Sequence, residues 1–377
     1  MKQLISFIKK ELVLSIAVFL AVLSSFFVKP DEKYIEYIDM RTILILFALM
    51  AVIAGFKRAG VFEIAAGSLI MKAGNEKQLV MSLVMMCFFS SMLITNDVAL
   101  ITFVPLSIAA LDMIGEEYIR KWLVPLTVME TIAANMGSML TPVGNPQNLY
   151  LSGKAGLGIA EFILLMLPYT AAAFLMLCLW IQKKGRGLSE KIELTFIPDA
   201  VKKKHTVIIY TALFVLCLLA VADMISYMIA ALICTLTVLL TDKKALKEVD
   251  YSLLATFAAL FIFIGNMSRN EDISGFLYSI VSDNEILVSV ASSQIISNVP
   301  AAVLLSGFTY NYELLIIGTN IGGLGTLIAS MASLISFRYV VRFRGSETGK
   351  YMGVFTLSNL IFMAVMACCV LGMNIYS

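Results

Sequence analysis

Long apolar runs alternate with short charged clusters along most of the chain. The runs at 12–28, 41–56, 158–182, 206–222, 225–241, 251–266 and 352–375 approach or exceed the roughly 20 residues that cross a bilayer as a helix. Two more, 122–150 and 314–337, are interrupted by glycine, proline and small polar residues and predict broken helices. The segments 78–112 and 284–310 are apolar at both ends and polar at the centre, which predicts two re-entrant hairpins. The stretch 61–73 is short and contains Glu63, so it either lies in the interface or crosses at a tilt.

The polar centres of the hairpins are copies of one another. Ser90-Ser91-Met92-Leu93-Ile94-Thr95-Asn96-Asp97-Val98-Ala99 aligns with Ser292-Ser293-Gln294-Ile295-Ile296-Ser297-Asn298-Val299-Pro300-Ala301 at an offset of 202. Phe47–Gly55 aligns with Phe257–Gly265 at 210, each following an aspartate, Asp39 or Asp250. Asn135, Gly137 and Thr141 align with Asn320, Gly322 and Thr326 at 185. Such duplication is common in secondary transporters, where the two copies cross the membrane in opposite senses.

Composition fits the patterning. Of 377 residues, 60% are hydrophobic and 14% charged, against roughly 25% charged in soluble proteins. With the N-terminus on the cytoplasmic side, 23 of the 28 Lys and Arg fall inside. Only Lys29, Lys33, Arg41, Lys154 and Arg269 fall outside, as the positive-inside rule expects. The first run lacks a small-x-small cleavage pattern and reads as a retained span. The net charge of +2 gives no sign of nucleic-acid binding. The six cysteines lie in apolar runs without metal-ligand spacing. With one histidine, His205, beside a lysine cluster, metal and Ser/His/Asp catalysis have little support. Glu116-Glu117 with Arg120 is like the glutamate pair of intramembrane prenyl-protein proteases, but the spacing is short and no second motif follows. The chain is not expected to be an enzyme.

The candidate chemistry lies at the interruptions. Between Asn135 and Asn148 stand Gly137, Thr141, Pro142, Gly144, Asn145 and Pro146. Proline removes a backbone donor and glycine weakens a helix. A break at membrane depth is tolerated where something polar fills it. Free carbonyls, amides and hydroxyls suit a dehydrated cation such as Na+, and a helix restarting at Pro146 offers N–H groups to an anion. The second copy, Asn320 to Ser330, replaces the prolines with Gly322, Gly323 and Gly325. Asp97 and Glu130 are ionisable groups inside apolar runs, where they usually have a task. Asp97 would bind a cation, carry a proton or cap the second hairpin helix. Glu130 is a second candidate carboxylate. Asp39 and Asp250 fit helix caps.

At these residues the sequence resembles the ion transporter superfamily over about residues 40–340. That group contains divalent anion:sodium symporters, citrate-transporter-like permeases, arsenite efflux permeases and one class of Na+/H+ antiporters. In the dicarboxylate symporters both tips read Ser-Asn-Thr, the first two residues helping to hold Na+ and the third contacting a carboxylate. Here Thr95 with Asn96, and Ser297 with Asn298, keep the first two positions, whereas Asp97 and Val299 replace the third. An Asn-Asp tip with a distant Thr-Pro is closer to the arsenite permeases and related antiporters. The resemblance implies a homodimer working by an elevator motion.

The expectation is an all-α membrane protein of about 9–11 transmembrane helices. Residues 1–38 form an N-terminal helix, and 39–182 one inverted repeat with its tip at 95–97 and its break at 135–148. Residues 183–224 form a cytoplasmic loop and linking helix. Residues 225–377 form the second repeat, with its tip at 297–300 and its break at 320–330. It would sit in the cell membrane with the C-terminus outside and move a small anion, a carboxylate or oxyanion, coupled to Na+ or H+ and without a cofactor. The alternative is a Na+/H+ antiporter or arsenite-type permease using Asp97. Thr95, Asn96, Asp97, Asn135, Gly137, Thr141 and Asn145 would form one half of the site, and Ser297, Asn298, Asn320, Gly322 and Thr326 the other.

Overall fold

The structure, a computed structural model, describes residues 11–185 and 204–374. Lys2, Lys9, Lys10, Arg186, Lys191, Lys202 and Lys203 of the orientation count lie outside the described residues, as does much of the expected cytoplasmic loop.

The described residues are helical throughout, without strands. The first half runs α1 Leu12–Ser24, α2 Lys33–Glu36, α3 Met40–Arg58, α4 Val61–Met71, α5 Glu76–Ser90, α6 Asn96–Ile114 and α7 Glu116–Ser138. A short 3-10 turn at Pro142–Gly144, α8 Pro146–Ala155 and α9 Ile159–Lys184 follow. After α10 Lys204–Val221, the second half runs α11 Tyr227–Asp242, a 3-10 turn at Ala245–Glu248, α12 Tyr251–Ser268, α13 Glu271–Val281, α14 Glu285–Ile296 and α15 Asn298–Leu305. It ends with α16 Tyr312–Gly322, α17 Met331–Phe343 and α18 Thr348–Asn374. Met40–Arg58, Asn96–Ile114, Ile159–Lys184, Tyr251–Ser268 and Gly345–Met373 are each long and apolar enough to cross a membrane. The protein is therefore a multi-pass membrane protein.

The order of elements recurs, from α1 to α9 and again from α11 to α18. The aspartates cap as their positions predict. Asp39 accepts from the Thr42 N–H at 3.0 Å and Asp250 from the Leu253 N–H at 2.9 Å. The first helices of the two halves are exchanged: α1 packs along α12, and α11 along α3. Residues 12–24 thus belong with the second half's α12 as much as with their own half.

The hairpin arms are unequal. α14 and α15 have 12 and 8 residues, about 18 and 12 Å of helix against a hydrocarbon core of about 30 Å. α5 has 15 residues, but α6 has 19 and is long enough to cross. α4, the ambiguous stretch, has 11 residues, about 16 Å, too short to cross as a helix. The breaks are narrower than expected, at residues 139–145 and 323–330. Asn135, Gly137, Asn320 and Gly322 lie in the last helical turns before them. A mid-helix glycine costs only about 1 kcal/mol, which close packing recovers here.

The helices sort into two groups. One comprises α1, α3, α10, α11 and α12; the other contains α5–α9 and α14–α18, with the short helices α4 and α13 linking them. Along the seam, the Tyr150 ring of α8 lies 6.2 and 5.2 Å from those of Phe257 and Phe261 on α12.

Ion pairs pin the ends. Arg41 meets Asp223 at 2.9 Å and Arg269 meets Asp31 at 2.8 Å. Arg58 meets Asp242 and Glu248, Lys121 meets Glu76 at 2.7 Å, and Arg344 meets Glu116. The first two pairs join residues assigned outside and the others join residues assigned inside. None connects the two sides.

Candidate functional site

The tips and the breaks meet, and one set of contacts occurs twice. Thr141 Oγ1 donates to the Met92 carbonyl of the first tip. Thr326 Oγ1 donates to the Gln294 carbonyl of the second at 3.0 Å. Met92 and Gln294 are aligned residues, as are the two threonines. The glycines obey the same rule. A Cβ on Gly137 would stand 2.0 Å from the Phe88 carbonyl oxygen and 2.5 Å from Ser91 Oγ. A Cβ on Gly322 would stand 2.6 Å from Ser293 Oγ and 3.1 Å from Val290 Cα. Each glycine lets the first half of a broken helix close onto the first arm of its hairpin. Gly137 and Gly322 are therefore packing positions, and the two threonine hydroxyls hold the tips.

The asparagines then join the halves. Asn135 Oδ1 accepts from Asn96 Nδ2 at 2.8 Å and from Ser330 Oγ at 3.0 Å. Asn135 Nδ2 faces the Gly323 carbonyl at 3.5 Å. Asn320 Nδ2 donates to Asn148 Oδ1 at 2.7 Å. The Asn298 N–H donates to the Ala329 carbonyl at 2.9 Å, and the Ser297 hydroxyl faces the same oxygen at 3.4 Å. Asn145 Nδ2 donates to Ser138 Oγ at 2.7 Å. These side chains are all at least 95% buried. Their contacts bring together the first turns of α6, α8, α15 and α17, four helix N-termini with their positive dipole ends. Neither lysine nor arginine belongs to this cluster.

Several buried groups there have no partner: Asn320 Oδ1, Ser333 Oγ and both polar atoms of Gln147. Gln147 and Ser333 stand in the first turns of α8 and α17. A fully buried amide without hydrogen bonds costs about 1–3 kcal/mol. These are the groups a polar solute would satisfy.

Ser330, Asn148, Gln147 and Ser333 were not among the expected site residues. Ser330 aligns with Asn145 and Ser333 with Asn148 at the same offset of 185, so the duplication carries a signal for these three, whereas Gln147 aligns with Ala332 and has none. Asp97 is close to the cluster but outside its bonds. Thr95 is the cap position of α6, and Asp97 Oδ1 is buried without a partner. No cap bond from its side chain occurs. Glu130 is fully buried on α7, five residues before Asn135, and accepts from Ser107 Oγ of α6.

A multi-pass helical membrane protein with paired helix breaks around a buried polar cluster has the architecture of a transporter. Residues 4–313 match the citrate transporter family, and the chain belongs to that family. The uncharacterized transporter MJ0456 of Methanocaldococcus jannaschii is 35% identical over 86% of this chain and 87% of its own length. Inner membrane protein YbiR of Escherichia coli is 31% identical over 83% and 84%. The silicon efflux transporter LSI3 of Oryza sativa is 27% identical over 42% of this chain and 33% of its own length.

Proposed function

We propose that the protein is a secondary active transporter of a small oxygen-rich solute of the carboxylate or oxyanion class, coupled to Na+ or H+. The observation that carries this reading is the meeting of four helix N-termini at a buried cluster of amides and hydroxyls. Such a cluster offers N–H and hydroxyl donors to oxygen atoms, and helix-end carbonyls to a cation. The recurring element order, with its paired threonine and glycine contacts, supports two inverted repeats. In this reading the first includes 39–182 and the second 225–377, each with a hairpin entering from one side. The two groups of helices, linked by α4 and α13, fit alternating access by sliding of one against the other. The cell membrane and a homodimer complete the reading.

An arsenite-type or related efflux permease using Asp97 is the second reading. It is favoured by the unpartnered Asp97 Oδ1 beside the cluster and by the name of the Oryza sativa relative. The cluster's lack of a basic side chain also suits a weak, largely undissociated oxyacid.

The test is solute flux into proteoliposomes under an imposed Na+ or pH gradient, with citrate, succinate, arsenite and silicic acid as probes. Flux of one probe, abolished in Asn96→Ala and Asn298→Ala while both variants keep the wild-type melting profile, is the expected result. Full flux in both variants would remove the site assignment.

A further inference from the structure

Glu130 is the most deeply buried carboxylate of the first half, and it lies outside the amide cluster. It is fully buried on α7, and its surroundings come from three other helices. Ser107 of α6 donates to Oε1, and Oε2 is buried without a partner. Cys87 of α5 and Tyr351 of α18 are the titratable groups that interact with it electrostatically. Tyr351 is itself fully buried, and its hydroxyl lies beside Thr131 without a hydrogen bond of good geometry. α9 and α17 also pack on α7, and among the described residues neither lysine nor arginine pairs with the Glu130 carboxylate.

An ionised carboxylate with one hydroxyl donor, a bare second oxygen and no counter-charge is among the costliest groups a membrane-depth core can hold. A proton discharges it and turns it into a donor. The Ser107 hydroxyl and the Tyr351 hydroxyl are the polar neighbours of the carboxylate in otherwise apolar packing.

Its position ties it to the solute cluster. Glu130 is five residues, about 7.5 Å of helix, from Asn135 on the same α7. Ser107 is on α6, whose first residue, Asn96, bonds Asn135. At the aligned position of the second half stands Leu315, fully buried; that half's buried glutamate, Glu285, lies instead at the first residue of α14, far from its break in sequence.

We propose that Glu130 is a proton-exchange site on the Ser107 side of the cluster, and that it is the residue which carries this transporter's coupling proton. The step adds one proton to the carboxylate from water reaching the core in one state and releases it in the other; no other bond is made or broken. This coupling rests on the transporter reading above, whereas the site itself does not.

The experiment is infrared difference spectroscopy of the purified full-length protein between acid and alkaline buffers. The expected result is a carboxylic-acid carbonyl band that disappears in Glu130→Gln, persists in Asp97→Asn and shifts in Ser107→Ala, which loses the hydroxyl donor. Identical spectra for wild type and Glu130→Gln would overturn the site. Should Glu130→Gln fail to fold, an unshifted band in Ser107→Ala would overturn it equally. Flux of a probe that ignores the pH gradient, in protein that shows the band, would overturn the coupling alone. A present band with no flux of any probe would instead count against the transporter reading.

Discussion

The first half closes its break with a capped 3-10 turn, and the second with a glycine loop. Thr141 both accepts from the Gly144 N–H at 3.1 Å and donates to the tip, so Pro142–Gly144 is held as a tight turn. In the second half Gln294 Nε2 instead reaches across to the Gly322 and Leu324 carbonyls at 3.0 and 2.9 Å, and its Oε1 accepts from the Thr326 N–H. The tips differ as well. Thr95 has ordinary extended backbone, whereas Ser297 sits at φ 74° and ψ 152°, a region that favours glycine. The largest difference is charge. Asp97 and Glu130 face Val299 and Leu315 at the aligned positions. The helix-closing contacts are kept in both copies, whereas the carboxylates are placed differently: Asp97 and Glu130 stand near the first tip and break, and the second half buries Glu285 at the start of α14, where it accepts from the Thr309 hydroxyl at 2.7 Å.

The comparison breaks most severely at the glycines. Gly137→Ala drives a Cβ into the backbone carbonyl of Phe88, which cannot move alone, and should cost about 3 kcal/mol or more. Gly322→Ala meets first the Ser293 hydroxyl and should cost less, and Ser293→Gly should largely rescue it. Ser91→Gly should not rescue Gly137→Ala. Thermal melts of the four variants in detergent check this.

Removing the joints between halves comes next. Asn135→Ala removes the acceptor shared by Asn96 Nδ2 and Ser330 Oγ and leaves only the long 3.4 Å contact between those two, and Asn320→Ala strands Asn148 Oδ1. Each should destabilise by about 1–3 kcal/mol and abolish flux of whichever probe is moved.

The threonines should rank in order. Thr141→Val loses a turn cap and a half-buried tip bond, about 1–2 kcal/mol. Thr326→Val, at an exposed position, should lose less than half of that in the same melts.

Ser297→Gly sharpens the comparison from the other side. Relief of the positive φ should stabilise the protein by up to about 1 kcal/mol, whereas Thr95→Gly should destabilise it.

Smallest of all is the surface pin. Arg344 and then Arg120 hold the Glu116 carboxyl below the usual carboxylate range. A lowered value contributes stability above the ordinary carboxylate pKa and loses it as pH falls through the folded value. On an exposed pair the melt of Arg344→Ala should barely differ from wild type, and less so in high salt.

Much of this was legible in the chain. Apolar runs, the Asn-bearing tips, the aspartate caps and the two breaks all come from local chemistry, and the ion pairs respect the sides that charge counting assigned. What depended on tertiary placement was not legible. Asn135 bonding Ser330, and Asn320 bonding Asn148, link residues 195 and 172 positions apart. They require both halves to be in place. The breaks are narrower than their glycine and asparagine content suggests, because here one packs and the other bridges. The exchange of α1 and α11 between halves leaves no local trace at all.

The most direct test of the account follows internal pH in dye-loaded proteoliposomes as citrate, succinate, arsenite and silicic acid are added in turn. The expected result is a pH change driven by one of these solutes, lost in Asn135→Ala and in Asn320→Ala, and lost in Glu130→Gln without loss of the folded protein. A solute-driven signal that survives both asparagine substitutions would contradict a transport centre formed where the two breaks meet.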